Sequence, residues 1–285
     1  VGVTLVIFSP TRRFKRWKGE SQQQPKTENM MRNYSKLLGA LAATSAFAAG
    51  SAFAGTPVMT TTAPTQTAAA CDAGFDGNIH IGYNTDYIFR GTDQGNDMVE
   101  AGLDLSKDFG GFSLSGGLWH ASINDSVVGD YDELDLYAEA SKDFGFATAY
   151  IGYIWYHYQG TDEIDDAQEL YFGLSRDLGW GINASLTYYW DVETDNQGYT
   201  ELGLEKSIEF TPCISLDLGS KLAYLVEEGD FSHWTTSAAL NFKIKETFTI
   251  SPYVAYSVEL DGAEEYSGKN EHNYLFGGVK ASVSF

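Results

Sequence analysis

Apolar and polar residues alternate in short runs along most of this chain. From Val99 to Ser106 the odd positions are Val, Ala, Leu and Leu, and the even ones Glu, Gly, Asp and Ser. Leu134, Leu136, Ala138 and Ala140 alternate with Glu133, Asp135, Tyr137 and Glu139, and Leu170, Phe172 and Leu174 with Glu169, Tyr171 and Gly173. A period of two held over such lengths predicts strands with one apolar and one polar face. Twelve runs of this kind are expected, at 78–90, 97–108, 111–122, 131–142, 146–158, 167–177, 181–193, 198–209, 213–226, 231–244, 247–260 and 271–285. Each can supply the roughly 9–11 residues that a tilted membrane strand needs.

The connections repeat. Ser106-Lys107-Asp108-Phe109-Gly110 returns as Ser141-Lys142-Asp143-Phe144-Gly145 and, more loosely, as Ser175-Arg176-Asp177-Leu178-Gly179, at spacings of 35 and 34 residues. The repeating unit is therefore a β-hairpin, with weaker echoes near Glu209 and Lys245. Five connections are short turns. The other six are longer and acidic: 91–97, 124–130, 159–167, 194–198, 227–230 and 261–270. Short turns at one end and long loops at the other are the pattern of an outer-membrane barrel, and an even strand count puts both termini on the periplasmic side. The fold expected is all-β, a transmembrane antiparallel up-and-down β-barrel of twelve strands.

Aromatic residues strengthen that reading. Phe109, Phe144, Phe146, Trp180, Phe210, Phe248 and Phe285 fall near the short turns, and Tyr87, Trp119, Trp155, Tyr158, Trp190 and Trp234 near the long loops. Two rings at interfacial depth suit the headgroup regions of a bilayer. A soluble β-sandwich would bury its apolar faces but would not account for the two rings.

The first 77 residues read differently. Residues 1–30 look like an over-extended reading frame, a basic cytosolic extension being the alternative. Residues 31–54 carry a basic start at Arg32 and Lys36, an apolar stretch and a small-x-small ending at Ala52-Phe53-Ala54, which together predict a cleaved signal peptide. Residues 55–77 read as a periplasmic linker, and 78–285 as the barrel.

Charge then narrows the function. Beyond residue 54 the chain holds 10 basic and 37 acidic residues, a net charge of -27. Nucleic acid, which needs a basic surface, is excluded as a partner. With the apolar face toward lipid, the inward acidic set is Asp86, Glu100, Asp104, Asp135, Glu139, Glu169, Asp191, Glu201, Glu205, Asp217 and Glu259, against Arg90, Lys221, Lys243 and Lys280. Carboxylates on a low-dielectric wall concentrate cations and repel anions. Twelve strands enclose a backbone diameter of roughly 24 Å, leaving an opening on the order of 10 Å unless a loop folds inward. Pairing strands 1 and 2 around a six-residue loop would set Arg90 opposite Glu100 and Asp86 opposite Asp104. The alternative is that these charges pair with one another and with water to fill a closed barrel.

Other chemistry is sparse. Cys71 and Cys213 both belong to the periplasmic side, where disulfides form, and a bridge between them is expected. His120, His157, His233 and His272 fall near the external rim, close to Ser122 and Ser232, without a nucleophile motif. No metal site, cofactor or catalytic set is expected.

Gly82-Tyr83-Asn84-Thr85-Asp86-Tyr87-Ile88-Phe89-Arg90-Gly91 resembles the opening strand of the TorF-type porins, G-Y-x-S-D-Y-x-F-R-G, with Thr85 in the serine position. A terminal Phe285 on an alternating last strand resembles the signal read by the barrel-assembly machinery, although Lys280 occupies the usual glycine position. The function expected is an outer-membrane channel for passive diffusion of small cationic or neutral solutes, with lipid, lipopolysaccharide and the assembly machinery as partners. A closed structural or adhesive barrel and a lipid-modifying enzyme are the alternatives.

Overall fold

The computed structural model describes residues 74–161, 164–193, 198–260 and 273–285. The predicted leader and linker, and Cys71 and His272, lie outside these residues. Twelve strands run in chain order: β1 Asp76–Phe89, β2 Thr92–Asp108, β3 Ser113–Ser126, β4 Gly129–Asp143, β5 Thr148–Gln159 and β6 Ala167–Asp177. The second half continues with β7 Ile182–Asp191, β8 Tyr199–Thr211, β9 Ile214–Leu225, β10 Asp230–Lys245, β11 Phe248–Glu259 and β12 Asn273–Ser284. Each strand pairs antiparallel with its sequence neighbours, and β1 pairs with β12 to close the barrel. Closure leaves no strand edge, so the backbone hydrogen bonds are met within the wall, as a hydrocarbon environment demands.

The alternation seen in the sequence becomes an inside-out distribution of polarity. Ile79, Ile81, Val99, Ile151, Leu174, Leu186, Leu204 and Val254 are exposed on the outer surface. On the inner face Glu100, Glu133, Asp135, Glu139, Glu169 and Glu201 are buried. Such an outer surface is stable only against lipid. The protein is an outer-membrane-type β-barrel, and the outer membrane is its location.

At the end where β1 begins and β12 finishes, the repeated turns share one device. Asp143 Oδ1 accepts the Gly145 amide at 2.7 Å, Asp177 Oδ1 accepts the Gly179 amide at 2.6 Å, and Asp108 makes the same bond to Gly110. The three glycines have φ of 76–87°, the left-handed turn region that a side chain disfavours. This local chemistry is the physical content of the repeat. Phe109, Phe144, Phe146, Trp180, Phe210 and Phe285 are exposed at this periplasmic end, as the girdle requires.

The external end differs from expectation in two places. Residues 91–97 and 124–130 are not long loops. β1 and β2 meet at a two-residue turn, Arg90-Gly91, and β3 and β4 at another, Val127-Val128. Both hairpins stay paired through the acidic stretches, although the register shifts near each tip, because charged residues there still hydrogen-bond as strand. Trp190 and Trp234 are exposed on the outer surface, but Tyr87, Trp119 and Tyr158 are buried in the lumen rather than in a girdle.

Candidate functional site

The lumen divides into two halves. In the external half the first hairpin leaves the wall. A register shift separates Tyr87 from Ile88 in the β1–β2 pairing. The four consecutive residues Tyr87, Ile88, Phe89 and Arg90 are then all buried, which no strand confined to a two-faced wall achieves. Arg90 and Gly91 turn the chain with φ of 46° and 79°. Left-handed values at both central residues match the tight hairpin turn whose twist suits its strands.

The tip of this hairpin reaches the far side of the barrel. Arg90 donates from Nη1 to Glu169 Oε1 at 2.9 Å and from Nη2 to Glu169 Oε2 at 2.8 Å, a bidentate ion pair with β6. The guanidinium carbon lies 4.7 Å from the ring centre of Tyr189 on β7 and 4.2 Å from that of Tyr199 on β8. Tyr156 Oη donates to the same carboxylate at 3.3 Å. Gly91 packs on His233 of β10, where a Cβ would stand 2.6 Å from His233 Cγ. In the closed strand order β7 lies diametrically opposite β1, so the hairpin spans the lumen.

Apolar packing secures it on both flanks. Tyr87 and Phe89 join Met98, Trp119, Ile123, Tyr156, Tyr171 and Tyr189 in one buried cluster, to which the β5–β6 loop adds Ile164. Ile88 packs on the other side against Ala239, Tyr253, Ala255 and Phe276. Each such side chain, fully removed from water, contributes about 1.5–3 kcal/mol. The expected opening on the order of 10 Å is therefore occluded here, by a folded-in hairpin.

The expected pairings across strands 1 and 2 are corrected by the observed register. Glu100 faces Gly82, Asp104 faces Asn78 and Asp86 faces Asn96. The turn has two residues rather than six, and the partners of Asp86, Glu100 and Asp104 all lie eight positions from those expected. Arg90 instead pairs with Glu169, and Glu100 with Lys280 Nζ at 3.1 Å, while also accepting from Trp119 Nε1 at 2.9 Å. Asp104 accepts from Tyr137 Oη at 2.5 Å and lies 3.7 Å from His80 Nδ1.

The remaining residues singled out from the sequence occupy the inward parity of their strands. Asp135 and Glu139 lie on β4, Glu169 on β6, Asp191 on β7, Glu201 and Glu205 on β8, Asp217 and Lys221 on β9, Lys243 on β10, Glu259 on β11 and Lys280 on β12. Glu201 is 3.5 Å from Lys221 Nζ, and Glu139 accepts from Tyr171 Oη at 2.9 Å. Sequence reasoning missed Glu133, buried on the same face as Asp135, and His80, buried on β1. Strict parity counting along β1 and β4 would have found both. Cys213 is exposed in the β8–β9 turn; the expected bridge depends on Cys71, outside the described residues. His120 points outward and His157 binds Asp166 at 2.9 Å, whereas Ser232 and His233 are buried, so the described rim histidines do not converge. Among the described residues no group of three or more metal-ligating side chains is arranged to hold an ion.

The periplasmic half is open. A cavity of about 950 Å³ there is lined by polar side chains including Asn78, Ser141, Asn183, Ser215, Asn241 and Ser251. Its boundary carries seven acidic residues (Glu139, Asp143, Asp177, Glu205, Glu209, Asp217 and Glu246) against Arg176, Lys206, Lys243 and Lys280. From Tyr150 on its wall, a ladder of rings climbs through Tyr171, Tyr189 and Tyr199 to His233. Successive centroids are 6.3, 5.7, 5.7 and 6.0 Å apart.

Residues 68–281 match the family model described as a bacterial protein of unknown function, Gcw_chp. The chain belongs to that family. Among the curated proteins none matches the sequence. Solved structures similar to the chain include the KdgM porin, at 14% identity over 73% of this chain and 99% of that one, with a TM-score of 0.45. Another is the COG4313 outer membrane channel from Pseudomonas putida F1, at 11% identity over 74% and 95%, with a TM-score of 0.46. The NanC porin is similar at 12% identity over 73% and 98%, with a TM-score of 0.42.

Proposed function

We propose that this protein is an outer-membrane channel for small cationic or neutral solutes, held closed by its β1–β2 hairpin. One observation carries the reading: a polar, acid-rich cavity open to the periplasmic end stops at a plug whose tip is fastened by the bidentate ion pair Arg90–Glu169. A barrel built only as a scaffold has no use for a large hydrated cavity under a separable plug. The resemblance of residues 82–91 to TorF-type porins agrees, and the second half of that stretch, 87–91, is the plug itself.

Cation preference follows from the sign of the wall. Lumenal carboxylates outnumber lumenal cations in both halves, and Lys221, Lys280 and Arg90 each face one already. The excess negative charge lowers the free energy of an entering cation in a narrow, poorly screened passage. Opening consists of withdrawing residues 87–91 from the lumen, which costs the ion pair and the apolar flanks together.

The test is a planar-bilayer recording of the protein purified from outer membranes, under a salt gradient and raised voltage. Openings whose reversal potential favours the cation support the reading. Anion preference refutes the assigned selectivity, and silence of both wild type and hairpin variants refutes the channel in favour of a structural barrel.

A further inference from the structure

The seat that receives Arg90 belongs to the wall, not to the hairpin. Glu169, Tyr156, Tyr189 and Tyr199 come from β5 to β8, whose pairings are independent of β1. Together they form a flat slot for a planar cation. The carboxylate takes two N–H donors, one on each oxygen, and the two rings lie within 5 Å of the guanidinium carbon. An ammonium would fit this slot less well, because it cannot make the parallel bidentate bonds or stack its face on a ring. Asp191, the cross-strand partner of Glu169, adds a second carboxylate beside it.

The occupant is delivered under constraint. Arg90 has φ of 46°, a conformation uncommon for a side-chain-bearing residue, and it reaches the seat from the opposite wall. A cavity of about 40 Å³ persists next to it, bounded by Arg90, Tyr199, Glu201, Lys221 and His233. The aromatic ladder links the slot with the periplasmic cavity.

We infer that the Glu169–Tyr189–Tyr199 slot is a binding site for the guanidinium group of an external solute, and that Arg90 is its tethered stand-in. This deepens the channel reading and rests on it for its role in transport. A solute carrying a guanidinium displaces Arg90 and removes the polar share of the hairpin's hold, leaving only the apolar flanks to keep it in the lumen. A flexible tether alone would give Arg90 a millimolar effective concentration and the packed flanks raise it, so the free solute should act only above about 10 mM.

Hydrogen exchange of the wild-type protein tests the site without any transport assay. Agmatine supplies a guanidinium on a short chain, and butylamine of similar length supplies an ammonium only. At about 50 mM, chosen to exceed that effective concentration, agmatine should speed exchange of the amides of 87–95 several-fold while butylamine leaves them unchanged. In Glu169→Gln the hairpin should exchange faster from the outset and respond to neither. No agmatine effect, an equal effect of butylamine, or an agmatine effect that survives Glu169→Gln would overturn the site. Bilayer recordings separate this inference from the channel reading. Agmatine-specific exchange without conductance would leave the site standing and sink the channel, whereas conductance without agmatine-specific exchange would do the reverse.

Discussion

The two halves of the lumen are built from the same strands with the same alternation, yet one is packed and the other open. Toward the periplasm the inward positions are Ser, Asn, Thr, Lys and carboxylates, short or charged groups that leave a cavity of about 950 Å³. Toward the outside Tyr, Trp and Ile crowd in beside the buried carboxylates Glu133, Asp135 and Glu169, and a hairpin enters to fill what remains. Strand number sets the space a barrel encloses, but the size of inward side chains and one inserted hairpin decide whether that space is a passage. The difference also separates two sources of free energy. Burial of apolar surface holds the outer half together, while the inner half contributes a field.

The largest effect expected on this contrast comes from Arg90→Ala. Removing one partner of a buried pair leaves Glu169 uncompensated and weakens the closed state by about 3–5 kcal/mol, enough to raise the open population at least about a hundredfold. Bilayer recordings should show frequent or steady openings.

Gly91→Val attacks the same plug by sterics. A Cβ there would stand 2.6 Å from His233 Cγ, at a φ of 79° that valine resists. The strain of about 1–3 kcal/mol should displace the tip and expose residues 87–91 to proteolysis or exchange, with the barrel itself still folded and heat-modifiable.

Neutralising the inner half should leave the plug alone. Glu205→Gln with Asp217→Asn should lower cation preference about twofold in the reversal potential of open channels, without changing the open fraction. A change in gating instead would mean that the halves are coupled.

Smallest of all, Trp180→Ala removes an indole that is 87% exposed at the periplasmic girdle. It should change folding stability in lipid by less than about 1 kcal/mol and leave both conductance and selectivity unaltered. A gating phenotype there would show that the girdle, not the hairpin, controls closure.

Much of this molecule was legible in the alternation alone. Strand positions, closure and the inward parity of residues such as Glu139, Glu201 and Asp217 follow from a period of two, because each side chain has only two faces to choose from. The turn repeat was legible because aspartate and glycine at fixed offsets act locally. The plug was not. Residues 82–91 drew attention as a motif, but Tyr87-Ile88-Phe89 read as ordinary strand and interfacial aromatics. Their departure from the wall depends on a register shift and on Glu169, nearly 80 residues away in sequence. Long-range packing of that kind leaves no periodic trace. The acidic stretches 91–97 and 124–130 misled for a related reason, since polar composition suggests a loop while ladder hydrogen bonds accept charged residues readily at a wet rim.

The central claim is that the outer half is closed by the hairpin rather than by the wall. Single-channel recording of wild type beside Arg90→Ala, at the same voltage and protein density, tests it most directly. The account predicts a wild type that is closed most of the time and a variant that conducts steadily with cation preference. Traces that cannot be told apart, with the variant shown by heat modifiability to be folded, would contradict it.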